Sequence, residues 1–306
     1  MQSLWMLVAS FLFSIMGVCV KLASADYSTS EIVAYRGAIG MLMIALLVKL
    51  QGGTLKTRMP YHHLMRGAVG VLALWLWFYA IGKLPLAMAV TLNYMSPIWI
   101  AAILLISAWW SKQRGLAWQP VAAILMGFVG VVLLLRPSIH ADQIMGGVIA
   151  LVSGMLAAWA YMQVRQMGLL GEPEYRVVFY FSLTCAVAGL FGALIGKSVY
   201  AAAGDVTWHH LDSRGIMLLL AIGVTAAVAQ MAMTRAYRLG NTLVTANLQY
   251  VGIVFSSVWD VLIWKESLAW LSWLGIAVIL CSGLLATFYN AKANRKPIPG
   301  DAISSE

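Results

Sequence analysis

Ala80–Tyr94 reads AIGKLPLAMAVTLNY and Ala236–Tyr250 reads AYRLGNTLVTANLQY; the leading alanines, Leu92 with Leu248, and Tyr94 with Tyr250 fall in register at one offset. The echo continues downstream. Trp118 and Trp270 each open an apolar segment that closes on a glycine-led run, GVVLLL from Gly130 and GLLATF from Gly283. These matches divide the chain into two related halves.

Outward from the two motifs, ten apolar stretches run almost end to end. Each is long enough to cross about 30 Å of hydrocarbon at about 1.5 Å of rise per helical residue. The predicted spans are 4–24, 31–50, 64–82, 86–109, 118–136, 146–167, 176–197, 214–237, 242–264 and 270–289. A chain that is 62% hydrophobic and 10% charged, with a mean hydropathy of +0.85, lies far outside the range of soluble domains. The expected fold is an all-α integral membrane protein of ten transmembrane helices, arranged as two inverted five-helix repeats. Residues 1–140 make the first repeat, 141–290 the second and 291–306 a cytoplasmic tail. Inversion follows from the odd count, because after five crossings the second unit enters from the opposite side. Two such units, related by a pseudo-twofold axis in the membrane plane, supply alternating access to a site near the midplane.

The net charge of +9 does not indicate a nucleic-acid partner, since the basic residues are scattered through short loops instead of gathered on one face. With the amino terminus inside, thirteen Lys and Arg residues fall on the cytoplasmic side and six on the other, while Arg36 stays within a span. This positive-inside bias places both termini in the cytoplasm, with a bacterial inner membrane as the expected location. Ala23, Ser24 and Ala25 imitate a signal-peptidase site, but the segment before them lacks a basic n-region and carries Lys21 at its far end. Cys19, Cys185 and Cys281 lie in predicted spans, with neither metal nor disulfide spacing.

An arginine early in span two (EIVAYRGAIG), the short break before LPLAMAVTLNYMSPIWIAAILL and a glutamate closing span nine (VLIWKESL) complete a recognisable pattern. Over nearly its whole length the chain resembles the EamA family of the drug/metabolite transporter superfamily. The resemblance implies a secondary transporter, usually an exporter of small metabolites, with cytoplasmic termini and a central cavity shared by the halves. One departure is visible: Trp110 stands where the first repeat would carry the counterpart of Glu266.

Polar groups inside a span are costly and tend to face the bundle interior, where they mark a pathway. Asn93 and Tyr94 in span four, and Asn247, Gln249 and Tyr250 in span nine, hold equivalent places in the two repeats. The symmetry brings these neutral donors and acceptors towards the midplane, where they can hold a polar ligand. Trp75, Trp77 and Tyr79 in span three, with Trp159, Tyr161 and Gln163 in span six, are candidate walls for a flat or amphipathic substrate. Membrane amides also act as interhelical glue, and aromatics form interfacial belts, the role expected of Trp5, Trp109, Trp110, Trp264, Trp270 and Trp273. Asp260 is the one acid well inside a span and a candidate for coupling transport to protons; Arg36 lies at similar depth below the same surface, where the two could pair as a gate. Gly127 with Gly130, and Gly192 with Gly196, allow close helix approach, and the second pair also offers a face for a homodimer.

A membrane-embedded enzyme is the rival class, and it would need a nucleophile with a base, paired carboxylates or a metal cluster on one face. His62/His63 and His209/His210 fall on opposite faces, and loop solvation is their expected role. No Walker motif occurs, and the loops are too short for a scaffold. The reading is therefore non-enzymatic, with no cofactor or metal. It is secondary export of a small polar or amphipathic metabolite (amino acid, nucleobase, amine or drug-like molecule), with uptake as the alternative direction. A reporter fused after Glu306 should be cytoplasmic, and one inserted between Val199 and Trp208 should lie outside; finding both on one face would refute the ten-span arrangement.

Overall fold

Inside a bilayer the backbone N–H and C=O groups have no water to bond, so apolar segments of this length satisfy them internally as helices. The computed structural model describes residues 2–83, 91–110, 118–135, 144–200, 209–265 and 267–293. In the first half α1 spans Trp5–Ala23, α2 Thr29–Leu50, α3 Pro60–Lys83, α4 Ser96–Trp110 and α5 Trp118–Leu135. The second half contains α6 Ile144–Leu169, α7 Glu174–Tyr200, α8 Ser213–Leu239, α9 Thr242–Leu248, α10 Val251–Trp264 and α11 Trp270–Ala293. Among the described residues eight helical segments are long and apolar enough to cross a membrane, and Thr91–Ser107 is a shorter apolar one. The chain is a multi-pass integral membrane protein.

Local chemistry sets where the helices start. Ser28 opens α2 with a capping box, its Oγ accepting from the Glu31 N–H while Glu31 accepts from the Ser28 N–H. Asp212 caps α8 through the Gly215 N–H, and Asn241 caps α9 through the N–H groups of Leu243 and Val244. Gly171, at φ +87°, turns the chain between α6 and α7 in a conformation that suits glycine alone. Trp109, Trp110, Trp270 and Trp273 stand exposed at helix ends, as an aromatic belt requires.

The two halves pack through reciprocal contacts. A Cβ on Gly37 of α2 would strike Ser182 and Ala186 of α7, the residues seven and three positions before Gly189; a Cβ on Gly189 would strike Ser30 and Ala34, the residues seven and three before Gly37. In α5 and α11, Gly130 meets Gly275 and Ile279 while Gly275 meets Gly130 and Leu134, so each glycine touches the other and the residue four beyond it. Contact of i with j and of j's counterpart with i's counterpart is what a twofold axis produces. In both pairs one chain's numbering rises as the other's falls, so equivalent helices run antiparallel and the second half is inverted. The larger pairings obey the same exchange: α1 packs on α8 as α6 packs on α3, and α1 on α10 as α6 on α4.

The glycines expected to allow close approach do so at Gly127, Gly130 and Gly192, and the closest backbone contacts of the α2–α7 crossing fall at Gly37 and Gly189, one turn from Gly192. Gly37→Ala and Gly130→Ala should each destabilise the protein by roughly 1–3 kcal/mol, the usual cost of overpacking. Gly17→Ala should be harmless, since open space lies around it. Melting temperatures of the three variants in one detergent would check this, and equal values would refute the backbone contacts.

Candidate functional site

Spans four and nine, each expected as one span with Pro97 loosening the helix in the first, are both interrupted. In the first half, helical residues Thr91–Asn93 give way to a turn at Tyr94 and Met95 before α4 begins. In the second, a turn at Gln249 and Tyr250 separates α9 from α10. The ladder tightens there to three-residue bonds, from Gln249 N–H to the Ala246 carbonyl at 3.2 Å and from Tyr250 N–H to the Asn247 carbonyl at 3.2 Å. Met95 N–H bonds to the Leu92 carbonyl at 3.3 Å in the same way. Pro97 contributes to the first break, because it can donate no N–H and is tolerated only in a helix's first turn. Such 3₁₀ stretches inside a helix often mark hinges, and here they fall at matched places in the two halves. Residues 84–90, which lead into the first break, lie outside the described residues.

The predicted side chains divide into two groups. Asn93 Nδ2 donates to Ser153 Oγ at 2.9 Å, and that hydroxyl donates to the Ala73 carbonyl at 2.8 Å, which ties span four to α6 and α3. Asn247 is 1% exposed and bonds to Ser282 of α11 at 3.4 Å. Both amides are engaged between helices, the glue role. The second group meets around the breaks. Gln249 Nε2 donates to the Tyr237 hydroxyl at 2.5 Å, and Tyr237 stacks on Tyr161 with centroids 5.5 Å apart and planes inclined by 12°. The Tyr94 hydroxyl lies beside Gly252, just past the opposite break. Tyr250 is fully buried, and neither its hydroxyl nor Gln163 Oε1 has a hydrogen-bond partner among the described residues.

Of the candidate aromatics, Trp75 packs against Gly192, and Trp77 is partly buried. Tyr79 and Trp159 are 51% and 46% exposed, so neither is enclosed as a wall by the bundle. Periodicity placed them in span interiors without saying which helix faces neighbours would cover.

The expected Asp260–Arg36 pair is absent. Asp260 instead accepts from Lys21 Nζ at 3.3 Å, while that ammonium sits 3.9 Å from the Trp264 ring centre, at the α1 and α10 ends. Arg36 lies over Phe181 of α7 at 5.9 Å, lining a cavity with Ser182, Cys185 and Gln230. Similar depth had suggested the pair, but the crossing of α2 with α7 turns the arginine inward. Arg66, one of the thirteen basic residues counted on the cytoplasmic side, also joins this interior: it is 3% exposed and lies 4.2 Å from the centre of the same Phe181 ring. The signal in the sequence was its position two residues inside span three.

The histidines are also not simply solvated. His63 at the start of α3 is buried and bonds Glu172 at 2.9 Å, just before α7. His209, just before α8, gives Glu31 at the start of α2 both its backbone N–H at 2.8 Å and its ring Nδ1 at 3.2 Å. Each pair joins the start of one half's second helix to the start of the other half's third helix, and they lie at opposite ends of the bundle.

The chain resembles known transporters along most of its length. The model of the EamA-like transporter family matches residues 1–136. The pseudopaline exporter CntI of Pseudomonas aeruginosa is 34% identical over 85% of this chain and 86% of its own. The riboflavin transporter of Vibrio cholerae is 24% identical over 96% of this chain and 95% of its own, and the S-adenosylmethionine uptake transporter of Rickettsia bellii is 22% identical over 96% of each. A solved crystal structure, 20% identical, superposes with a TM-score of 0.79 over 94% of this chain and 98% of that one, which shows the shared fold. This chain belongs to the EamA-like transporter family. It is a secondary transporter of a small molecule and not an enzyme.

Burial works against the Glu172 carboxylate, yet hydrogen bonds from His63 and Thr57 and the nearby charges of His63 and Arg176 hold its pKa below the ordinary value. A carboxyl with a depressed folded pKa stabilises above its unfolded pKa, and that contribution disappears as pH falls through the folded one. Glu172→Gln should therefore cost on the order of 2 kcal/mol near neutrality. The deficit should shrink as pH drops below the usual carboxyl range. Melting curves across that range would check this, and a pH-independent difference would exclude the ionic contribution.

Proposed function

We propose that this protein exports a small polar or amphipathic metabolite across the bacterial inner membrane by alternating access, with both termini in the cytoplasm. The repeats are residues 1–140 and 141–290. The observation that carries the reading is the pair of matched helix breaks, Tyr94–Met95 and Gln249–Tyr250, which meet where the Tyr94 hydroxyl lies beside Gly252, with the Gln249–Tyr237–Tyr161 row extending from the second. A transporter of this kind needs irregular backbone only where it lines a site, and it needs two units that can rock about it. Export is favoured by the exporter that is 34% identical. Uptake is the second reading, favoured by the more distant relatives named for uptake.

Three contacts between the halves supply the gates. Lys21–Asp260 and Glu31–His209 close one end, taken as the outer face, and His63–Glu172 closes the other. All three are formed together, which corresponds to an occluded state. Rocking that opens one face breaks the pairs on that face alone. Asp260, with Lys21 as its partner, is the proposed coupling residue; a homodimer through Gly192 is not proposed, because that glycine packs against Ser30 and Trp75 within the bundle.

The test is expression in a bacterial host with metabolite profiling of cells and medium. At least one small metabolite should move from cells to medium. Gln249→Ala loses a hydrogen bond worth on the order of 1 kcal/mol, so the redistribution should fall about five-fold with the protein still inserted. If expression redistributes nothing, the export reading fails; if Gln249→Ala acts like wild type, the breaks are not the site.

A further inference from the structure

Arg66 and Arg36 reach the membrane interior from opposite ends of the bundle. Arg66 lies six residues into α3, about 9 Å along the helix, and its guanidinium extends a further turn to lie against Gly70, at about 15 Å and so near mid-depth. Arg36 lies seven residues into α2, about 10 Å from the other end. Both guanidinium groups converge on the ring of Phe181, at 4.2 and 5.9 Å. A Cβ at position 70 would collide with Arg66 and with Phe181, so the glycine leaves the guanidinium its place.

What this cluster lacks is a counter-charge. Arg66 is 3% exposed, and its Nε and Nη1 have no hydrogen-bond partner among the described residues. Its ionisable neighbours are Tyr161, Cys185 and Arg36, none of them a carboxylate. The sequence contains no Asp or Glu between Glu31 and Asp142, between Glu174 and Asp205, or between Asp212 and Asp260. The interiors of α2, α3, α7 and α8 therefore offer no carboxylate, and at the bundle ends Asp260, Glu172, Glu31 and Glu174 are engaged by Lys21, His63, His209 and Arg238, Asp212 caps a helix and Asp26 is exposed to solvent. A cation–π contact offsets part of the cost of burying a charge but leaves the N–H donors unmet. The cluster is also one-sided: through the reciprocal Gly37 and Gly189 contacts, the counterpart of Arg36 is Ala188.

We propose that this cluster is the anion subsite of the transported molecule: Arg66, with Arg36 beside it, binds a carboxylate group of a small organic acid or amino acid. The inference rests on the transport reading above and names the substrate class. Either unmet donor of Arg66, Nε–H or Nη1–H, can donate to a carboxylate oxygen, and Arg36 adds the second positive charge. Gln230 lines the cavity on which Arg36 opens, Phe181 separates that cavity from Arg66, and Tyr161 ties the cluster to the aromatic row at the helix breaks, where the rest of the molecule lies. In the occluded form the cavity holds about 10 Å³ of space into which water fits, room for about one water, so the anion enters as the halves part.

The test measures binding to the purified protein without flux, so its failure leaves the transport experiment standing and the reverse also holds. Thermal unfolding is followed against succinate, glutamate and citrate, their methyl esters, and sodium phosphate and chloride at matched ionic strength. At least one carboxylate should raise the melting temperature saturably, by about 5 °C when well above its dissociation constant. Its ester and the inorganic anions should not. Arg66→Gln should abolish the shift, Arg66→Lys should retain part of it, and Arg36→Gln should weaken it. Without ligand, Arg66→Gln should melt no lower than wild type, because it removes an unpaired buried charge. The proposal is overturned by equal shifts from acid and ester, by an equal shift from phosphate, by no shift from any carboxylate, by a shift surviving in Arg66→Gln, or by a ligand-free Arg66→Gln that melts lower.

Discussion

Helices in lipid gain little by exchanging hydrocarbon contacts for protein ones, so they associate where backbones can approach closely enough for dispersion to accumulate. In this protein that condition is met where the halves cross, at Gly37 and Gly189 between α2 and α7 and at Gly130 and Gly275 between α5 and α11. These helices are equivalent under the twofold axis, so every such contact is made twice and belongs to both halves. The rest of the arrangement depends on them: the α2–α7 crossing carries Arg36 and Phe181 into the interior, and the α5–α11 pair supports α9 and the break after it.

Charge is distributed in two unlike ways. At the bundle ends, carboxylates meet cations: Lys21 with Asp260, His209 with Glu31, and His63 with Glu172. Each of these crosses between halves and lies at helix termini. The exposed Lys21–Asp260 pair is individually weak, whereas His63–Glu172 is buried and holds its end more firmly until the halves move. In the interior the two arginines share an aromatic ring and no acid, an arrangement that stability alone would not favour. Proteins keep such features where function needs them.

The interrupted helices and the arginine cluster complement each other. Breaks in spans four and nine place Tyr94, Gln249 and Tyr250 at matched positions, and the stacked Tyr161 and Tyr237 connect that region towards Arg66. Polar groups that sequence symmetry treats as equal are not equal in the fold. Asn247 serves the α9–α11 contact through Ser282, while Gln249, two residues on, faces Tyr237. A short 3₁₀ segment rotates successive side chains differently from an α-helix, which separates these neighbours.

Span number, approximate boundaries, the repeat and the family pattern were all legible in the residues, because bilayer thickness and backbone hydrogen bonding leave a segment of twenty apolar residues few alternatives. The ends of α1, α5 and α8 fall within a residue or two of the predicted limits. Hydropathy could not reveal the breaks at Tyr94 and Gln249, because local 3₁₀ tightening changes no residue's polarity. Nor could it assign partners: Asp260 and Arg36 lie at similar depth, but depth fixes one coordinate, and the rotation of each helix about its axis decides which charge meets which. Arg66 shows the same limit, counted among the cytoplasmic cations from its place near a span end and found buried against Phe181. The sequence by itself determined how many times the chain crosses the membrane and that its halves are related. Tertiary structure decided which faces turn inward, because helix rotation is set by close contacts between residues far apart in the chain.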